Sequence, residues 1–205
     1  VRASWDAGFA DYLGHNLHCL VTTQIAQGKK GEAFASSQEL MYLVREFARG
    51  FNAEHNPEHV NNEAGRFLTV PVTVSLQFDF EQWKQIEESV REVQQEVSQV
   101  LSEVEAESPE LPVVSTMLEY GNTLYAIHQG DWATAIDDAR EFKRLAKTTD
   151  ASFQTNRAED VFQIASYIIL ARAARAIQPS DDGAVLAELG EVLGIAVDRN
   201  ASPEM

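Results

Sequence analysis

The sequence predicts an all-α protein, an α-solenoid of antiparallel helix pairs, and three observations predict it. Apolar residues recur at spacings of three and four over most of the 205 residues. Proline is scarce at 6 and glycine modest at 11. Two of the segments are joined to the next by turns centred on Gly28 and Gly130, which is how helices are paired head to tail.

The first segment runs from about Ala7 to Ala26, with Phe9, Leu13, Leu17, Leu20 and Ile25 on one broad stripe, and stops at Gly28. After the basic turn Lys29–Lys30, a second helix buries Ala33, Leu40, Val44 and Phe47 and ends near Gly50. Residues 51–62, rich in Asn, His and Glu and holding Pro57, read as a loop. Over 66–80 the β-branched residues let strand and helix compete; helices on either side of Pro71 are expected, because a lone strand would lack a partner. Phe80 to Glu107 reads as a long, half-exposed helix carrying Val90, Val93, Val97, Val100, Leu101 and Val104.

Ser108, Pro109 and Pro112 interrupt the chain before a helix from about Leu111 to His128. Gly130 and Asp131 turn it into a helix from Trp132 to Lys147, whose buried stripe is Trp132, Ile136, Ala139, Phe142 and Leu145. Asp150 is a candidate cap for the next helix. A strongly apolar helix over 158–177, with Val161, Ile164, Ala165, Ile168, Ile169 and Ala173, stops at Pro179, and a last helix covers about 182–197. The expectation is one helical domain over 1–205: helix pairs at about 7–50 and 111–148, a less regular middle at 51–110, and a final pair at 158–197.

Two of the pairs share a pattern. Leu17, Leu20, Gly28, Ala33 and Leu40 fall at the offsets of a tetratricopeptide repeat, and Gly130, Trp132, Ala135 and Phe142 do the same within GDWATAIDDAREF. Glycine permits the tight turn, a small alanine lets two backbones approach, and larger residues fill the groove between pairs. Three blocks then resemble a bacterial group of tetratricopeptide-repeat proteins of undefined activity. YLGHNLHCL, Tyr12 to Leu20, is similar to that group's Tyr-x-x-His-Asn-x-His-Phe-Leu helix start, with Cys19 in place of Phe. FEQWKQI, Phe80 to Ile86, is similar to its Phe-Gly-Arg-Trp-x-x-Ile segment, with Glu81 and Gln82 in place of Gly and Arg; the third block is YGNTLYAIHQGDWATA, Tyr120 to Ala135. The resemblance implies further repeats before the His-Asn-x-His segment and a further helix pair after AVDRNASPEM, so that the sequence reads as a fragment of a longer repeat protein.

Composition narrows the function. A formal charge of −16 with no Lys/Arg-rich run argues against nucleic acid and leaves a basic protein or peptide as the better-matched partner. No apolar stretch is long enough for a bilayer span, and the single cysteine, Cys19, forms no internal disulfide. The cytoplasm is the favoured compartment, with export left open because a leader could belong to a missing part.

No residue pattern commits the chain to catalysis, and none implies a cofactor. Cys19 and His18 are adjacent on a helix and point about 100° apart, which does not make a nucleophile–base pair. Gly-x-Ser-x-Gly and Gly-rich phosphate loops are missing from the sequence, and Glu87, Glu88, Glu92 and Glu96 read as a solvated helix face. His15 and His18, three apart, could hold two positions of a metal site, with His55 and His59 as the second cluster; this is the competing reading, a metal-binding protein or metal-dependent enzyme. The leading reading comes from the repeat register. It puts His15, His18 and Thr22, and in the second pair Tyr120 and Leu124 beside Met117, on a concave groove that suits an extended peptide or a helix. Asn16 and Asn122 are expected to join adjacent helices, Trp83 and Trp132 to anchor the core, and repeat ends to offer a surface for pairing two copies.

Overall fold

A computed structural model of the chain describes residues 10–50, 56–78, 80–104, 111–149, 158–177 and 182–197. Among these the protein is all-α: eight helices and no strand. The chain divides into two compact units, Val1–Val114 and Ser115–Met205.

The first unit holds α1 (Ala10–Ala26), α2 (Lys30–Arg49), α3 (Pro57–Phe78) and α4 (Trp83–Glu103). Each helix packs on the next and on the one after it, the neighbour pattern of a solenoid of helix pairs. At the α1–α2 turn Gly28 takes φ +70°, its N–H bonds to the Ile25 carbonyl, and the Lys29 N–H reaches back to Gln24. These two hydrogen bonds satisfy two carbonyls at the helix end and require the left-handed conformation that glycine adopts without strain. Ala33 and Leu40, five and twelve residues beyond the glycine, are fully buried.

α1 does not bury the stripe that its apolar residues suggest. Gly14, Leu17, Val21 and Gln24 face inward, while Leu20 is exposed and Leu13 only half-buried. Gly14 approaches the Phe67 ring of α3 so closely that a side chain there would displace it.

Two expectations fail in α3. Asn56–Pro57 is a helix start rather than a loop: the Asn56 carboxamide accepts the His59 N–H, and proline at the first helical position lacks only an N–H that would have no partner there. Pro71 does not divide the segment either, for α3 runs unbroken from Pro57 to Phe78 with Pro71 buried inside it. Packed between α2 and α4, α3 buries Val60, Ala64, Phe67, Leu68, Val70, Val72, Val74 and Leu76, and this all-round burial outweighs the missing hydrogen bond and the low helix propensity of the valines.

α4 buries Trp83, Ile86, Val90, Val93, Val97 and Leu101, whereas Val100 and Val104 are half-exposed. Its glutamates are not all idle solvent groups. Glu96 accepts from Arg45 Nε at 3.2 Å and Arg49 Nη2 at 2.8 Å, joining α4 to α2, and the exposed Glu92 lies 3.8 Å from Arg45 Nη2; Glu87 pairs with Lys84 and Arg91, and Glu88 is exposed.

The second unit holds α6 (Trp132–Thr149), α7 (Ala158–Ala176) and α8 (Gly183–Leu193), together with α5 (Pro112–Gln129), whose first turn overlaps the end of the first unit. Gly130 repeats the geometry of Gly28: φ +74°, its N–H on Ile127 and the Asp131 N–H on Ala126. Ala135 and Phe142 are fully buried at the same offsets as Ala33 and Leu40. The Asp131 carboxylate caps α6 by accepting the N–H and hydroxyl of Thr134, and these two bonds hold its pKa below the usual carboxylate value. Trp132, expected in the core, is only half-buried at the first position of α6. α5 is fixed to α6 by a buried hydroxyl pair, Thr116 and Thr149, at 2.7 Å. α8 is held at its C-terminal end by Lys143, whose Nζ donates to the Leu193 carbonyl, the end where a cation is favourable. The expected cap Asp150 lies outside the described residues.

Candidate functional site

The five residues on which the groove reading rests have unequal surroundings. On α1, His15 and Thr22 are exposed and His18 is half-buried. In the second unit Tyr120 and Leu124 are 8% and 1% exposed, and Met117 is half-buried. Tyr120 packs on Phe142 with ring centroids 5.8 Å apart, and Phe142 meets Phe162 of α7 edge-on at 6.0 Å. Burial raises the Tyr120 pKa, with Arg172 opposing the shift. Tyr120 and Leu124 are therefore packing residues of the second unit and offer no surface. The two helix pairs share their turn but not their surroundings: α5 is covered on the side that α1 leaves open.

What remains is one face of α1. Tyr12, His15, Cys19 and Thr22 succeed one another at i, i+3, i+7 and i+10, opposite the buried stripe, with Asn16, Leu20 and Thr23 beside them. Tyr12 is 66% and Leu20 45% exposed. From Tyr12 to Ala26 the chain contains no Lys, Arg, Asp or Glu, in a protein that is 23% charged. Thr22 and Thr23 turn their hydroxyls back to the carbonyls of His18 and Cys19, so the face presents their methyl groups.

Chemistry on this face centres on a pair that adjacency conceals. Cys19 Sγ lies 3.7 Å from Nε2 of His15, one helical turn back, while His18 turns away. The His18 ring meets Phe67 edge-on at 6.4 Å, and the Arg66 guanidinium sits 5.9 Å from the Phe67 centroid. Partial burial, then Arg66, then His15, lower the His18 pKa from its ordinary value. The sequence contained the signal for the His15–Cys19 pair, the i, i+4 spacing.

His15 and His18 thus face different neighbours. Among the described residues no group of three or more His, Cys, Asp or Glu could hold a metal ion. His59 packs on Phe47, ring centroids 5.9 Å apart, and His55 lies outside the described residues. Of the two asparagines expected to join helices, Asn122 is buried and Asn16 exposed. No helix among the described residues is long and apolar enough to cross a membrane. Comparison of the chain with protein-family models, curated proteins and solved structures gives no match.

Proposed function

We propose that this protein is a non-catalytic binding module of the tetratricopeptide type, taking a peptide or partner helix along the open face of α1. The observation that carries the reading is that face: three turns of exposed aromatic, imidazole, thiol and threonine groups without one Lys, Arg, Asp or Glu. Charged side chains are depleted at the centres of protein interfaces because they lose hydration there, and Tyr is enriched because it brings area at small entropic cost. The formal charge of −16 supplies long-range attraction for a basic partner while the neutral face makes the contact.

The test is selection of peptides from a random displayed library on the immobilised protein, then affinity measurement with the synthetic peptide. His15→Glu and Thr22→Glu each weaken binding at least about tenfold, since a charge is then buried unpaired, and Gln38→Glu on α2 leaves it unchanged. No enriched peptide, or an affinity indifferent to both α1 variants, overturns the reading. The alternative, a metal-dependent role for His15 and His18, is addressed by the metal content of the purified protein.

A further inference from the structure

α7 carries two apolar faces where a surface helix needs one. Phe162, Ala165, Ile169 and Ala173 are buried, while on the other side Val161, Ile164, Tyr167 and Ile168 are 53%, 58%, 47% and 38% exposed. The exposed aliphatics, continued by the half-exposed Ala171, fall at 161, 164, 168 and 171. That alternation of three and four residues is the seam along which one helix lies against another. Isolated exposed apolar residues are ordinary; a contiguous stripe over three turns marks a contact surface.

We propose that this stripe pairs antiparallel with the same stripe of a second copy of the chain. Two features of α7 select a second copy. A two-fold axis between 164 and 168 maps the seam onto itself, setting Ile164 against Ile168 of the other copy and Val161 against Ala171, with the two Tyr167 rings beside the axis. The charges of the helix sequence are also self-complementary: its only acids, Glu159 and Asp160, are in the first turn, and its only bases, Arg172 and Arg175, are near the end. Antiparallel pairing brings the acidic end of one copy to the basic end of the other, whereas a parallel pair would bring like charges together. The inference is independent of the α1 face.

A seam of this size, opposed by a formal charge of −16 on each copy, gives a weak dimer, with Kd on the order of 10–100 µM. Sedimentation equilibrium of the whole chain from about 5 to 500 µM covers that range. A reversible monomer–dimer equilibrium is expected, tightening as salt screens the repulsion. Ile164→Glu and Ile168→Glu each weaken it at least about tenfold, with helical circular dichroism unchanged because both positions are exposed. Orientation is read from cross-linking: in a Cys19→Ser background, an oxidised mixture of Val161→Cys and Ala171→Cys chains gives mainly the mixed disulfide. A monomer at every concentration, a dimer indifferent to both isoleucine variants, or a preference for same-residue cross-links overturns the proposal.

Discussion

A Cβ placed on Gly14 would stand 2.6 Å from Cε2 of Phe67, so α1 and α3 meet at a point where a side chain on α1 would force the Phe67 ring to shift. This contact sets the rotation of α1, turning Leu17, Val21 and Gln24 inward and leaving His15 and Thr22 outside.

Gly14→Ala is therefore destabilising although alanine is the better helix former. Overpacking costs about 1–3 kcal/mol, against a propensity gain of about 1 kcal/mol, so a net loss of up to about 2 kcal/mol is expected in urea unfolding. Gly65, inside α3 with nothing within 4 Å of its would-be Cβ, is the control. Gly65→Ala raises stability by about 0.5–1 kcal/mol. Equal effects of the two substitutions would remove Gly14 as the determinant of α1 rotation.

The buried Thr116–Thr149 pair is a coupled contact between α5 and α6. Each single change to valine leaves a hydroxyl short of that partner and costs about 1–2 kcal/mol. The double change costs less than the sum by about 0.5–1 kcal/mol. Strict additivity in the cycle would deny the coupling.

How much of this was legible in the sequence depended on whether the deciding partner was local. The Gly28 and Gly130 turns, and the buried Ala33 and Ala135 beyond them, arise from backbone sterics over a few residues, and they stand where the repeat pattern puts them. Asn56–Pro57 was equally local but ambiguous, since the same dipeptide opens a turn or a helix, and only the apolar run after it decides. Pro71 lies inside a helix because α2 and α4 enclose it, a non-local cause. Tyr120 and Leu124 could not be separated from His18 and Thr22 by register alone. Their burial comes with a ring cluster reaching Phe162, about forty residues further along the chain. In α7, residues on both sides of the helix are apolar, so periodicity alone does not separate the exposed Val161, Ile164 and Ile168 from the buried Ala165, Ile169 and Ala173.

His18 makes stability depend on pH. Its folded pKa lies below the ordinary 6.5, so between that lowered value and 6.5 the unfolded chain binds more protons than the folded one. Stability contributed by neutral His18 is present above that window and is lost as pH falls through it. His18→Gln removes this part of the slope, which thermal melts of the two proteins between pH 7.5 and 5 would detect. Parallel pH profiles would contradict the assignment.

A face that binds a peptide through neutral side chains needs no metal. Plasma mass spectrometry of the purified protein, before and after a chelator wash, is expected to find no stoichiometric zinc or copper. About one tightly held ion per chain, lost in His15→Ala or His18→Ala, would return the face to the metal-dependent reading.

Binding along α1 is tested most directly by nuclear magnetic resonance of the isotopically labelled protein titrated with a library-selected peptide. Amide shift changes are expected to concentrate at Tyr12, His15, Asn16, Cys19 and Thr22, on the one neutral face of α1. Changes clustered on any other helix, with that face unmoved, would contradict it.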